Sequence, residues 1–420
     1  MRSSAAGTFR GLSILITEEK SVRCVRRQVL AARKQVVALR YQLPNGSLTR
    51  TETDCRLMQP TMSGSSFMKR MTVTAVNRIN PITDPRWLEL LQSHPHASIF
   101  HTPGWLEALR RTYEYQAVAF TTAAAAQELT DGLLFCCINS NFTGRRLVSL
   151  PFSDHCEPLT NTSENLTIFL RFLEENLKKE KWRYIELRPL ISRGSSVSGF
   201  ERNQTSFIHL LDLTRTQDEI FRAFHKDSIQ RKIRRAEREG LTYEEGRSEQ
   251  FLDQFYQLLL RTRRRHQLPP QPRQWFRNLI DCLGDQLKIR VASRNGQPMA
   301  SILTLEFKNV MVYKYGCSDA QYHNLGPMHL LFWKTIQEAR NKGLSGFDLG
   351  RSDADNAGLV EFKDRWGATR STLDYLRYPA AVVKTDSRES WGVKVAKQLF
   401  HHLPDGFLEA AGKLLYRHVG

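Results

Sequence analysis

Residues 346–368, GFDLGRSDADNAGLVEFKDRWGA, place a short apolar strand directly before a glycine turn and a charged loop. Asp348 interrupts that strand without an apolar role, and Gly350 lets the backbone turn where a side chain would clash. The order delivers Asp348, Arg351 and Lys363 to one end of a sheet, which is where open α/β sheets bind their ligands. We therefore expect an α/β fold with mixed sheets and a functional site at this edge.

Length and hydrophobic content limit the number of domains, and the distribution of charge limits the kind of partner. A chain of 420 residues with 41% hydrophobic residues can bury one large core or two ordinary ones, and we expect two domains. Residues 1–70 hold 13 Lys/Arg and 4 Asp/Glu, so this segment contributes +9 of the formal charge of +18. A basic tail on a mildly basic globule indicates nucleic acid less strongly than one basic face would.

The N-terminal segment, residues 1–70, lacks sustained periodicity and reads as a disordered basic tail or an upstream extension. No apolar run reaches the length of a membrane span or a signal-peptide core, which predicts a cytoplasmic protein. The Ser/Gly-rich run at 192–199 divides a domain at 82–195 from a second at 205–380. A helical segment at 388–418 follows and is predicted to pack on the body, with weak contact to a membrane surface as the alternative.

The loop SDAQYHNLGP, residues 318–327, joins a predicted strand to a predicted helix. Free backbone N–H groups at a helix N-terminus bind phosphate or carboxylate well. This turn, with Gln321, Asn324 and Gly326, is therefore a candidate site for phosphate or carboxylate. The alternative, an ordinary strand-to-helix connection, stays open.

The segment SLPFSDHCEPL, residues 149–159, crowds Asp154, His155 and Glu157 after a strand. Such a set can supply a general base or hold a substrate, although an acid beside a histidine is often a hydrogen-bonded turn. Tyr315 precedes a glycine, so its hydroxyl either packs or faces a cleft and donates a proton. No metal is expected, because Cys156 beside His155 cannot complete a tetrahedral set.

The run HKDSIQRKIRRAEREG, residues 225–240, reads as a helix capped by Asp227 or Ser228, with arginines opposite its buried face. Those arginines form a solvated face or a clamp for an anionic ligand, with Arg231 and Lys232 best placed for the clamp. Together with RTRRRH at 261–266 they form a basic region over 226–265, which also allows a non-catalytic RNA-binding or scaffold protein.

Three of these segments, FDLGRSDADNAGLVEFKDRWGA, HKDSIQRKIRRAEREGL and SLPFSDHCEPL, together resemble the FemAB-like, BioF2-like branch of the GNAT acyltransferase superfamily. The resemblance covers about residues 82–380 and looks particularly like FemAB-related proteins found with bacterial exopolysaccharide and protein-sorting gene clusters. It implies two tandem GNAT-like domains with a C-terminal helix. It also implies acyl or aminoacyl transfer from an activated donor to an amine or hydroxyl of a cell-envelope or exopolysaccharide precursor.

By the same resemblance the donor's phosphates would meet the 318–327 turn. Asp348, Arg351 and Lys363 would line the acceptor channel together with Asp154 and His155. The family's pyrophosphate loop carries a glycine where this chain has Asn324, so acyl-CoA, aminoacyl-tRNA and an acyl-carrier protein all remain open as donors. The general base also stays open among Asp154, His155, Glu157 and Asp348.

Overall fold

A computed structural model describes residues 75–140, 143–191, 199–380 and 405–419. The predicted tail at 1–70 and the break at 192–198 lie outside these residues, as does the first part of the predicted terminal helix. The described residues belong to one compact unit. Across the described ranges, each helix is too short or too polar to span a bilayer.

The described residues of the first half of this unit contain five strands and three α-helices. The strands are β1 (Asn77–Ile79), β2 (Gln116–Thr121), β3 (Leu133–Ser140), β4 (Gly144–Val148) and β5 (Ile185–Leu187). The helices are α1 (Pro85–Ser93), α2 (Pro103–Tyr113) and α3 (Ser163–Asn176). Helix α1 begins at Pro85, because the Asp84 side chain accepts a hydrogen bond from the Arg86 amide and proline is well suited to the first turn.

The second half follows with longer strands. They are β6 (Glu201–Asp212), β7 (Thr242–Gly246), β8 (Leu287–Arg294), β9 (Gln297–Phe307), β10 (Val310–Ser318), β11 (Gly346–Asp353) and β12 (Thr369–Tyr378). The helices are α4 (Gln217–Ala223), α5 (Arg231–Arg238), α6 (Glu249–Arg265), α7 (Arg273–Leu283), α8 (Pro327–Asn341), α9 (Ala357–Asp364) and α10 (Asp405–Val419).

All twelve strands form one sheet in the order β1-β2-β3-β4-β5-β12-β6-β11-β10-β9-β8-β7. Strand β12 pairs antiparallel with β5 on one side and with β6 on the other, so it joins the strands of both halves. Two neighbouring pairs are parallel, β4 with β5 and β10 with β11. The mixed α/β fold is confirmed, whereas the domain limits 82–195 and 205–380 stay a prediction.

The hairpin between β8 and β9 turns at Asn295 and Gly296, which both have positive φ, because this pair of residue types tolerates that conformation. Helix α8 likewise begins at Pro327 and ends just before Gly343. The main core packs helices α1, α2, α6 and α7 against the sheet, with Trp87, Trp105 and Trp275 fully buried.

Two predicted elements differ from the structure. The helix predicted to be capped by Asp227 or Ser228 begins later, at Arg231, because residues 226–230 form a wider turn that the His225 ring caps. Strand β11 does not end at the Gly350 turn but continues through it to Asp353, because a bulge absorbs the glycine. Ile229, Ile233 and Ala236 are buried, in agreement with the buried face expected for residues 225–240.

Candidate active site

The centre of the sheet opens between β10 and β11. Their paired residues run from Val310 opposite Gly346 to Val312 opposite Asp348. Beyond that point each strand carries an irregularity, β10 between Tyr313 and Tyr315 and β11 between Asp348 and Arg351. The two strands therefore diverge and leave a cavity of about 300 Å³ between them.

Gly350 occupies the bulge of β11 with a φ of 74°. A Cβ at this position would lie 3.1 Å from the Tyr313 carbonyl oxygen and 3.4 Å from a carboxylate oxygen of Asp154. The glycine at this place is therefore needed both for its backbone conformation and for the close approach of the cavity walls.

Charged side chains dominate the cavity walls. Four cationic residues and one acid line it, together with tyrosines and aliphatic groups. The charged set consists of Arg263, Lys314, Arg351, Lys363 and Asp154. The excess of positive charge favours substrates that carry negative charge near the reacting group.

Asp154 and Lys314 form an ion pair of 2.8 Å, and their side chains are only 15% and 6% exposed. The Lys314 ammonium lies 5.2 Å from the ring centre of Phe100 and 5.7 Å from that of Tyr315. Burial alone would raise the pKa of Asp154, but Lys314, followed by Lys363 and His155, holds that pKa below its usual value. Asp154 is therefore an ionised carboxylate at the cavity wall.

Lys363, on α9, is 2% exposed and reaches back to the bulge. Its ammonium donates to the carbonyl oxygens of Gly350 at 2.7 Å and Arg351 at 3.0 Å. Burial lowers the pKa of Lys363 to about 8, against the opposing effects of Asp154 and Asp348. An ammonium has three donors, so one N–H remains after the two carbonyls are satisfied.

Asp348 and His155 form a second layer behind this wall. One Asp348 oxygen accepts a hydrogen bond of 2.7 Å from the Gly350 amide, and the other lies 3.9 Å from His155 Nε2. The two side chains do not line the cavity, and His155 packs edge-on against Phe100. The predicted pair is therefore brought together, one layer away from the space a substrate would occupy.

Glu157 and Tyr315 have structural contacts of their own. The Glu157 carboxylate accepts hydrogen bonds from the amides of Leu190 at 2.7 Å and Ile191 at 3.0 Å. This contact fixes the chain after β5 and places Glu157 outside the cavity lining.

Tyr315, in contrast, lines the cavity. Its hydroxyl accepts a hydrogen bond from Trp275 at 3.0 Å. Burial raises the pKa of Tyr315, so the phenol stays protonated.

The loop predicted to bind phosphate forms a single 3₁₀ turn, Ala320–Leu325. Lys232 Nζ donates to the carbonyl oxygen of Asn324 at 3.0 Å, and a Cβ at Gly326 would lie 2.5 Å from the Lys232 carbonyl oxygen. Lys232 therefore fastens helix α5 to this turn. Arg231, its neighbour, is exposed.

A second cavity, of about 650 Å³, lies beside the same turn. Arg261, Arg264 and Arg265 line one side and residues 319–322 another, so Gln321 faces it whereas Asn324 and Gly326 do not. Thr262, Arg263 and His266, from the same end of α6, line the smaller cavity. One basic helix end therefore contributes side chains to both spaces.

Sequence reasoning missed Lys314, the partner of Asp154. The available signal was a lysine between two tyrosines in the otherwise apolar strand VMVYKYG. A lysine there either points to solvent or meets a buried partner, and the partner is 160 positions away in sequence. Only the fold joins the two.

Comparison with known proteins finds a family model that matches the part of the chain holding this site. Residues 223–364 match the acetyltransferase (GNAT) domain, a range that includes β10, β11 and α9. The crystal structure of FemX is similar over 72% of this chain and 97% of FemX, with 15% identity and a TM-score of 0.58. At that identity the likeness shows a shared fold.

Two other solved structures overlap with the chain at lower TM-scores. They are L-PGS from Bacillus licheniformis (17% identity, 76% of this chain and 98% of that one, TM-score 0.48) and a tandem GNAT protein from the clavulanic acid biosynthesis pathway (10% identity, 72% and 98%, TM-score 0.47). Among curated proteins no match was found.

Proposed function

Because this chain contains a GNAT acetyltransferase domain and has the fold of FemX, we propose that it is an acyl- or aminoacyl-transferase. It would move the acyl group of an activated donor to an amine or hydroxyl of a cell-envelope or exopolysaccharide precursor, in the cytoplasm of a bacterium. The observation that carries the proposal is the ionised carboxylate of Asp154 next to the buried ammonium groups of Lys314 and Lys363, where β10 and β11 separate.

The two cavities suggest separate places for the two ends of the donor. The larger one, with Arg261, Arg264 and Arg265, suits a phosphate-bearing carrier, and the smaller one suits the acyl group and the acceptor. Acyl-CoA, aminoacyl-tRNA and an acyl-carrier protein all carry such phosphates. Asn324 and Gly326 stabilise the turn beside the larger cavity through contacts with Lys232, and they do not form part of the cavity wall.

The proposed chemistry is direct transfer. The acceptor's nitrogen or oxygen bonds to the acyl carbon while its proton passes to Asp154. The bond between the acyl carbon and the carrier's sulfur or oxygen then breaks, and the leaving group takes up the proton that Asp154 accepted, which returns Asp154 to its carboxylate form. The remaining N–H of Lys363 and the ammonium of Lys314 would stabilise the oxyanion of the tetrahedral intermediate.

Asp154 is the best supported of the four candidate bases. It faces the cavity, whereas Glu157 binds backbone amides and Asp348 accepts from the Gly350 amide one layer behind. His155 lies in that same second layer, with its Nε2 atom 3.9 Å from an Asp348 carboxylate oxygen. We therefore assign His155 and Asp348 a positioning role and Arg351, which lines the cavity, a role in binding the acceptor.

The proposal is tested by donor binding followed by transfer. A donor that binds the native state raises the melting temperature, so acyl-CoAs, aminoacyl-tRNAs and acyl-carrier protein are screened first by thermal shift. Transfer from the stabilising donor is then measured for the wild type and for Asp154→Asn. Loss of transfer by a folded variant supports the proposal.

The control variant is Glu361→Gln, an exposed position on α9. Equal turnover by the wild type and Asp154→Asn contradicts the site assignment. Salt-sensitive RNA binding without transfer to any acceptor would favour the RNA-binding alternative instead.

A further inference from the structure

Tyr375, on β12, holds the main chain of the residue proposed as the base. Its hydroxyl donates a hydrogen bond of 2.7 Å to the carbonyl oxygen of Asp154, 221 positions away in sequence. Tyr375 is 3% exposed, so this bond is shielded from water. Burial also raises the pKa of Tyr375, so the phenol keeps the hydrogen that it donates. The contact fixes where the Asp154 main chain lies beside the cavity.

The rest of the segment that carries Asp154 has separate supports. Arg188 donates to the carbonyl oxygen of Leu150 at 2.7 Å, and the Cys156 amide donates to the Arg188 carbonyl oxygen at 2.7 Å. These two bonds hold the segment on either side of Asp154. Loss of the Tyr375 hydroxyl should therefore free the main chain at Asp154 while the neighbouring residues stay in place.

The Tyr375 ring contacts a second residue of the cavity wall, Arg351. The guanidinium carbon of Arg351 lies 5.4 Å from the ring centre, within the distance at which a cation is attracted to an aromatic face. Arg351 also pairs with Asp353 at 3.0 Å, but that carboxylate is 49% exposed, and exposed ion pairs contribute little. The buried ring is therefore the firmer support of the Arg351 guanidinium, which lines the cavity.

Strand β12 is well placed for this double contact. It pairs with β5 of the first half and with β6 of the second, so its side chains reach groups from both halves. Asp154 belongs to the first half, and Arg351 follows the bulge of β11 in the second. A side chain on the joining strand therefore fixes one of these residues relative to the other.

We infer that Tyr375 is a positioning residue that aligns Asp154 with Arg351, so that one acceptor meets both. The amine or hydroxyl of the acceptor lies at Asp154, and an anionic group of the same acceptor, such as a carboxylate, lies at Arg351. The tyrosine hydroxyl holds the first residue and its ring holds the second. This inference rests on the proposed function and adds to it the chemical class of the acceptor.

Two substitutions separate the two contacts. Tyr375→Phe removes the hydroxyl and keeps the ring, whereas Tyr375→Leu removes both. Transfer is measured with the donor that stabilises the wild type and with two acceptor probes, glycine and glycinamide. The probes carry their amine at the same position and are nearly equal in size, and glycine alone has a carboxylate.

Tyr375→Phe should lower kcat by about tenfold with both probes and leave both KM values unchanged, because the base is displaced and acceptor binding is not. Tyr375→Leu should in addition raise the KM for glycine by about tenfold without raising that for glycinamide, because only the carboxylate uses Arg351. Arg351→Ala should raise the KM for glycine to a similar extent. Combining Arg351→Ala with Tyr375→Leu should produce no further rise, because both changes remove the same interaction.

The matched control is Tyr256→Phe. The Tyr256 hydroxyl donates to the Gln271 carbonyl oxygen at 3.1 Å, and Tyr256 is buried and lies outside the cavity lining. The control therefore removes a hydrogen bond of the same kind at another place, and it should transfer like the wild type. A loss of kcat in Tyr256→Phe equal to that in Tyr375→Phe would mean that only general stability is affected, which overturns the inference.

Wild-type kcat in a folded Tyr375→Phe protein overturns the positioning role and leaves the proposed function standing. An equal rise of KM for both probes in Arg351→Ala overturns the acceptor class, as does a wild type that cleaves a donor but does not use glycine. If Tyr375→Leu does not fold, Arg351→Ala decides the acceptor class and Tyr375→Phe decides the positioning role. A wild type that cleaves no donor contradicts the proposed function, and the inference falls with it.

Discussion

Asp154 and Lys314 form a 2.8 Å ion pair between the segment after β4 and the irregular part of β10. The pair connects the two halves of the chain at the point where the parallel strands β10 and β11 separate. A buried carboxylate and a buried ammonium that satisfy each other can stay charged next to a cavity. That charge is what the proposed transfer reaction uses.

Breaking this pair should cost both stability and activity. In Asp154→Asn the Lys314 ammonium keeps its buried site but loses its carboxylate, and we expect the free energy of unfolding to fall by about 3 kcal/mol. We also expect transfer to fall by about 100-fold or more, because the proposed proton acceptor is gone. Chemical denaturation and steady-state kinetics measure the two effects.

The double variant Asp154→Asn with Lys314→Met separates these effects. It removes both charges and should recover much of the stability without recovering transfer. Recovery of transfer together with stability would mean that neither charge takes part in the reaction and that the pair serves only the fold.

The lowered pKa of Lys363 predicts a change of stability with pH. Its pKa is about 8 in the folded protein, below the ordinary lysine value, so between pH 8 and 10.5 the unfolded chain binds more protons than the folded one. The contribution of Lys363 to the free energy of unfolding therefore rises with pH in this window, by about 3 kcal/mol. The contribution of Lys363 to the stability of the folded protein is most unfavourable below pH 8.

Comparison with Lys363→Met isolates this contribution. The difference between wild type and variant is measured by denaturation at several pH values. A difference that does not change between pH 8 and 10.5 would contradict the lowered pKa. If the ammonium stabilises the oxyanion, wild-type kcat should also fall above pH 8, whereas Lys363→Arg should not show this fall.

Glu157 is expected to support the fold rather than the reaction. Glu157→Ala leaves the amides of Leu190 and Ile191 without the acceptor that they use now. We expect the free energy of unfolding to drop by about 2 kcal/mol while kcat, measured well below the melting temperature, stays near the wild-type value. A large loss of kcat in a fully folded variant would restore Glu157 as a reaction residue.

The larger cavity should set donor affinity. Arg265→Ala removes a cation from its wall, and we expect KM for a phosphate-bearing donor to rise by about tenfold with little change in kcat. Arg110→Ala, an exposed arginine on α2, is the matched control. Equal effects of the two substitutions would show that only net charge matters.

Secondary-structure elements can be predicted from the sequence where the residues that begin or turn them lie next to each other. Asp84 with Pro85, Asn295 with Gly296, and Pro327 each act within a few residues, so the starts of α1 and α8 and the β8–β9 hairpin follow signals that can be read in the sequence. The wider turn before α5 was missed because His225, rather than Asp227 or Ser228, supplies the cap.

The site was predictable only in part, because its key contacts join distant segments. The glycine bulge and the basic run indicated where to look, and Asp154, Arg351 and Lys363 do meet at one cavity. The pairing of Lys314 with Asp154 and the use of Lys232 to hold the 320–325 turn depend on which strands lie together. Spacing along the chain does not carry that information.

The most direct test of the account is the transfer rate of Lys363→Met, measured with the donor that stabilises the wild type. Methionine keeps the length and apolar stem of lysine but removes the donors that bind the Gly350 and Arg351 carbonyls and face the cavity. We predict that transfer falls by about 100-fold or more while the variant stays folded and still binds the donor. Wild-type turnover by a folded Lys363→Met protein would contradict the assignment of the reaction to this cavity.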